Sequence, residues 1–168
     1  EDFYDKVTFS HLGPVLETLE YVAKQTDVWL EVTTLLIPGR NDSPGEIERL
    51  SGWMAEHLGP EVPLHFSAFH PDFKMTDKPN TPASSLGMAR RVAKAAGLKH
   101  VYTGNVHDAA GQSTYCAGCG ALLVERDWYT LGAWNLRGGA CTSCGKKLAG
   151  QVTESPGSWG ARRMRVIV

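Results

Sequence analysis

At 168 residues, with hydrophobic and charged fractions of 42% and 21%, the chain has the composition of a globular protein and room for one ordinary domain plus a small appendage. A formal charge of -1 gives no general electrostatic reason to expect nucleic acid as a partner, and no apolar run reaches the roughly 18 residues of a membrane helix. The opening residues, Glu1 to Lys6, lack a basic start followed by an apolar stretch, so the expected setting is the cytoplasm.

From Pro14 to Gln25, Val15, Leu16, Leu19, Val22 and Ala23 recur at helical spacing and predict an amphipathic helix. Val28 to Ile37 is apolar and β-branched with little charge except Glu31, which predicts a central strand covered on both faces. Pro38 to Asp42 breaks that run. Ser43, Pro44 and Glu46 form a capping box that starts a second helix near Pro44, with Ile47, Leu50, Met54 and Leu58 on one face and Gly59-Pro60 as its stop. A strand over Leu64 to Phe69 and a polar loop from His70 to Asn80 follow. A third helix from Thr81-Pro82 to Gly97 and a strand from His100 to Thr103 complete the pattern. Helices alternating with strands predict an α/β fold with a parallel sheet. Three strands are too few to close a barrel, and the first would show an unpaired edge unless something upstream covers it; the start without methionine points the same way.

After Val106 glycines become frequent and cysteines come in pairs, which places an expected boundary near Ala110. The expected division is 1–110 for the α/β part, 111–150 for a cysteine module and 151–168 for a tail. Arg162, Arg163 and Arg165 near the terminus read as a solvated end of the chain.

Cys116-Ala117-Gly118-Cys119-Gly120 and Cys141-Thr142-Ser143-Cys144-Gly145 are two matching Cys-x2-Cys knuckles. Two intervening residues let both thiolates face one ion, and the glycine after each knuckle accommodates positive φ. Leu122 to Val124 and Trp128 to Leu131 are expected as ribbon strands, with Trp134 shielding one side. Two disulfides are the competing reading, disfavoured where thiols stay reduced. Rubredoxin-like iron has the same ligands, but zinc is the commoner occupant of such a set. With four protein ligands no position is left for a reactive water, so the site is expected to be structural.

In parallel α/β units ligands bind beyond the C-terminal strand ends. The loops there carry Arg40, Asn41 and Asp42, then His70, Asp72 and Lys74, then Asn105 and His107. Asp42 is as readily a turn residue as a functional one, and His70, at a strand end before Pro71, is the more informative candidate.

The run from Val28 to Asp42, the segment Phe69-His70-Pro71-Asp72 and the run from Tyr102 to Val106 closely resemble the AmmeMemoRadiSam system radical SAM enzymes. The cysteine ribbon and Trp159-Gly160-Ala161-Arg162-Arg163 fit the same family, and the strand ends are more distantly similar to those of pyruvate formate-lyase activating enzymes. The resemblance implies a partial (β/α)6 TIM-like barrel holding S-adenosylmethionine and a [4Fe-4S] cluster, and implies that His70 contacts S-adenosylmethionine. The family's Cys-x3-Cys-x2-Cys, Gly-Gly-Glu-Pro and Asp-Leu-Lys segments are absent from this sequence. The chain is therefore expected to be the C-terminal portion of such an enzyme, inactive alone, whose partner is the missing N-terminal half. The substrate, protein or small molecule, is unspecified. The alternative is a stand-alone zinc-ribbon binding module on an α/β scaffold.

Overall fold

The computed structural model describes residues 1–156, and the chain divides into two compact units, Glu1–Val106 and His107–Val168. The division falls slightly ahead of the expected one, because the short helix after it packs on strands of the second unit. The segment Trp159 to Arg163 and the three terminal arginines lie outside the described residues.

The first unit opens with a short π-helical turn, Tyr4–Thr8, that the periodicity of the sequence does not announce. It continues through helix α1 (Leu12–Gln25), strand β1 (Val32–Leu36), helix α2 (Pro44–His57), strand β2 (Leu64–Ala68), helix α3 (Ala83–Ala95) and strand β3 (Val101–Gly104). The strands form a parallel sheet in the order β1-β2-β3, as expected of strands joined through helices.

Helix α2 starts where its capping signal lies: the Ser43 hydroxyl accepts from the Glu46 amide at 3.3 Å, and Pro44 occupies the first turn. It ends at Gly59, whose φ of 99° suits a glycine and whose amide reaches the Met54 carbonyl at 3.0 Å. Its buried residues, Ile47, Ser51 and Met54, lie at i, i+4 and i+7. Leu86, Ala89 and Ala93, at i, i+3 and i+7, form the corresponding stripe of α3, the alanines allowing close approach of helix to sheet. Both stripes meet Leu36, Leu64, Phe66, Ala68 and Val101 in one core. Each large apolar side chain sealed there contributes about 1.5–3 kcal/mol.

The expectation that the first strand is central and covered on both faces is corrected. Only Val32–Leu36 forms β1, it is an edge of this sheet, and its burial alternates, with Thr33 and Leu35 exposed and Leu36 sealed. Val28 and Trp29, placed in that strand by composition, are exposed and precede it. An apolar run does not by itself say how many faces are covered; among the described residues, helices α2 and α3 pack on one side of the three strands. Helix α1 buries no residue completely, although Glu20 ties it to α2 through His57 Nδ1 at 3.0 Å.

The C-terminal ends of the strands are closed by side chains. Asn41 is buried, its Oδ1 accepting from the Ile37 amide at 2.8 Å and its Nδ2 donating to the Leu35 carbonyl at 2.9 Å. The Thr81 hydroxyl donates to the Leu36 carbonyl and accepts from the Phe69 amide, and Asn105 Nδ2 donates to the Ala68 carbonyl at 3.3 Å. These bonds satisfy backbone groups that the ladder no longer reaches.

The second unit holds α4 (Ala109–Gln112), β4 (Thr114–Tyr115), β5 (Leu122–Asp127), β6 (Thr130–Trp134), β7 (Leu136–Arg137) and β8 (Ala140–Cys141). Strands β4, β5 and β6 form one antiparallel sheet, and β7 pairs with β8. Trp128, expected within a strand, instead sits in the β5–β6 turn with φ of 51°.

Replacing Asn41 by Ala strips two backbone groups of their partners and should lower unfolding stability by roughly 2–4 kcal/mol. Asn41→Asp keeps an acceptor for the Ile37 amide and loses the donor, so chemical denaturation should place it between wild type and alanine.

Candidate metal centre

Two knuckles built alike bring the four cysteines together. In the first, the Cys116 amide donates to the Ala121 carbonyl at 2.8 Å and the Gly120 amide returns to the Cys116 carbonyl at 2.9 Å. In the second, the Cys141 amide donates to the Lys146 carbonyl at 2.9 Å and the Gly145 amide to the Cys141 carbonyl at 2.8 Å. Gly120 and Gly145 have φ of 75° and 76°, the left-handed turn that the sequence pattern calls for. Gly118 donates its amide to Cys116 Sγ at 3.3 Å. A Cβ at Gly118 would stand 3.1 Å from Lys146 Cδ, which shows how closely the knuckles approach.

All four sulfurs lie within 4.8 Å of one another and could hold one metal ion such as zinc. Two close pairs cross between the knuckles, Cys116 to Cys144 at 3.5 Å and Cys119 to Cys141 at 3.7 Å. A tetrahedron with metal–sulfur bonds of about 2.3 Å has edges of about 3.8 Å, so the donor set fits a single ion. It does not fit a four-iron cube, in which each thiolate takes a different iron. All four thiols are free, and their separations far exceed the roughly 2.05 Å of a disulfide bond.

Cys116 and Cys141 are buried, packed with Leu123, Val124 and Leu136, while Cys119 and Cys144 are exposed. Trp134 packs partly buried against that cluster. Desolvation opposes ionisation of Cys141, but the amides of Cys144 and Ser143 and its thiol neighbours outweigh it and bring the group down to about 6. At Cys116, too, desolvation is outweighed by amide hydrogen bonds from Cys119 and Gly118, and the thiol is lowered. Cys144 goes the other way: the Lys146 amide favours its thiolate, yet the neighbouring sulfurs of Cys116 and Cys119 push it up to about 12. Like charges at this range cannot all ionise unless a cation lies among them.

The strand-end loops of the first unit distribute differently from expectation. Asn41 is a buried clamp, and Asp42 accepts from the Gly39 amide at 2.8 Å, the role of a turn residue. Asp72 accepts from the Phe73 amide at 2.7 Å, and Lys74 lies 5.3 Å from the Phe73 ring centroid. His107, expected at this rim, belongs to the second unit, where its Nδ1 accepts from Trp128 Nε1 at 3.0 Å. Arg40 and His70 are exposed beyond β1 and β2. Missed from sequence was a row of polar residues on the sheet face away from the helices, including His65 and Tyr102. The alternation Leu64-His65-Phe66-Ser67-Ala68 is the signal that could have found it.

The chain is 46% identical over 149 residues to an uncharacterized protein of Methanocaldococcus jannaschii. The match covers 88% of this chain and 44% of the relative, so the chain spans less than half of that protein's length. No protein-family model matches the chain, and no solved structure matches it. Among the described residues, no helix is long and apolar enough to cross a membrane.

Metal binding consumes thiolates, and with Cys144 held at about 12 it must release protons. Affinity for zinc, measured against a chromophoric chelator, should therefore fall as pH is lowered from about 8 to about 6. Cys141→Ser should abolish tight binding at either pH and loosen the second unit, as seen in amide exchange.

Proposed function

We propose that this chain is the C-terminal portion of a radical SAM enzyme, with one structural zinc ion in its cysteine site. The observation that carries the reading is the first unit itself. A parallel three-strand sheet bears the family-like sequences at its strands' C-terminal ends, while β1 lies at an edge and, among the described residues, helices pack on one sheet face only. Such a sheet suits the later part of a barrel whose earlier strands continue from β1. The longer relative, of which this chain spans 44%, supports a protein with further sequence to supply them.

The catalytic cluster would be held by that other portion, since the four cysteines here converge on a single ion. When bound, S-adenosylmethionine and a [4Fe-4S] cluster supply a 5'-deoxyadenosyl radical that takes a hydrogen atom from substrate. This chain's part is to position. Asn41, Thr81 and Asn105 hold the strand ends in place, and His70, exposed immediately after β2, would contact S-adenosylmethionine. Zinc is assigned over iron on the chemistry of a closed four-thiolate site, whose job is to hold the second unit together. A colourless protein that contains only zinc accords with this; a coloured, redox-active one overturns it.

A second reading, a zinc-ribbon binding module on an α/β scaffold, draws on one feature. Trp128 and Tyr129 are 45% and 69% exposed at the β5–β6 turn, and Trp128 is fixed there by bonds to His107 and Gln112. Specific partner retention by the 168-residue chain alone would favour it.

The deciding experiment joins this chain to its N-terminal portion in the native polypeptide, reconstitutes the cluster anaerobically and measures 5'-deoxyadenosine. Cluster-dependent release is expected, and a fully reconstituted protein that forms none overturns the proposal. In that protein His70→Ala should weaken S-adenosylmethionine binding roughly tenfold, the effect of one hydrogen bond of about 1.4 kcal/mol.

A further inference from the structure

The register of the parallel sheet sorts its residues into two faces. Leu36, Leu64, Phe66, Ala68 and Val101 face the helices, while Thr33, Leu35, His65, Ser67, Tyr102 and Gly104 occupy the other face, none of them buried. Thr33, His65 and Tyr102 stand side by side in one row, and Leu35, Ser67 and Gly104 in the next toward the strand ends.

A solvated face needs polar residues but no particular order among them. Here there is order. Glu31 Oε2 lies 2.7 Å from His65 Nε2, and Glu31 Oε1 accepts from Trp29 Nε1 at 2.9 Å. The His65 ring stacks on Tyr102, with centroids 4.9 Å apart and planes 23° from parallel. An ionised carboxylate only accepts, so Nε2 carries a proton, and in the neutral form of the ring Nδ1 is the acceptor. Nδ1 has no partner among the described residues. The other histidines paired with glutamates differ: His57 has a carboxylate near each ring nitrogen, His100 is 4% exposed, and His11, 3.4 Å from Glu1, is exposed near the start of the chain and away from the sheet. Beside this row, a Cβ at Gly104 would stand 3.3 Å from Ser67 Oγ, so glycine keeps that hydroxyl uncrowded.

The charges narrow the ligand. Among the described residues this face carries no lysine or arginine to hold an anion, and each Glu31 oxygen faces a ring N–H. What it presents is a neutral acceptor at His65, hydroxyls at Thr33 and Ser67, and an aromatic ring. We infer that this face binds a neutral, polyhydroxylated small molecule of sugar-like chemistry, with His65 Nδ1 accepting one of its hydroxyl protons in a hydrogen bond and Glu31 holding the ring in the required tautomer. The inference rests on the barrel reading for its place: in a closed barrel this face would be the lumen, with His65 about 10 Å below the strand ends at roughly 3.3 Å per residue. The binding chemistry itself does not depend on that reading.

The test is a titration of the zinc-loaded 168-residue chain, labelled with 15N at histidine side chains, using D-ribose as probe and tetrahydrofuran as a ring without hydroxyls. Ribose should shift the His65 Nδ1 resonance saturably, on a millimolar scale, leave His57 and His100 in place, and have no counterpart with tetrahydrofuran. Glu31→Gln should weaken the ribose response roughly threefold or more and release the tautomer, visible in the nitrogen shifts. His65→Phe, which keeps a ring against Tyr102, should remove the ribose-induced shift of the Tyr102 ring protons; His65→Gln replaces it if the core amide spectrum shows misfolding. No saturable shift with ribose up to about 100 mM, or an equal response to tetrahydrofuran, overturns the inference. The titration needs neither cluster nor S-adenosylmethionine. Its failure leaves the proposed enzyme standing, and absence of S-adenosylmethionine cleavage leaves the binding face standing.

Discussion

A one-residue slip of β2 against its neighbours would carry Leu64, Phe66 and Ala68 out of the helix-covered core and put His65 and Ser67 into it. The parallel register is thus the constraint on which the rest of the first unit depends. It is enforced from both sides: by apolar side chains sealed against α2 and α3, and by polar ones that would be left without partners inside. Two of the clamps at the strand ends join distant segments, Thr81 to the Leu36 carbonyl and Asn105 to the Ala68 carbonyl, whereas Asn41 closes locally on its own strand end. The same alignment sets the polar row on the opposite face, where Glu31 and His65 meet across 34 residues of chain.

The second unit depends on a different constraint. Its apolar cluster is small, with Cys116 and Cys141 themselves among the buried members. Four sulfurs gathered within 4.8 Å repel as they ionise, and a divalent cation turns that repulsion into attraction. A metal ion held there would couple its binding to the folding of this unit, whose stability would then follow metal and proton concentration together. The first unit has a core of its own and no such dependence.

Local signals were legible in the sequence. The Ser43-Pro44-Glu46 cap, the Ile47-Ser51-Met54 stripe and the glycine after each knuckle act over a few residues, and the structure places α2 and both knuckle turns where those residues put them. The Val28–Ile37 run was misjudged because an apolar, β-branched composition reports strand preference and not the number of faces covered. Trp128 was misplaced because an aromatic residue favours strands, whereas here its amide is held by Gln112 and its indole by His107, which keep it in a left-handed turn.

By itself the sequence determined the order of the first unit's three long helices and three strands, their parallel connection and the cysteine quartet, because periodicity, capping and knuckle spacing are written within a few residues of one another. Tertiary structure alone decided that His107 turns to Trp128 and that Glu31, His65 and Tyr102 form one row. Those outcomes depend on strand register and on groups brought together from distant positions, which no local pattern encodes.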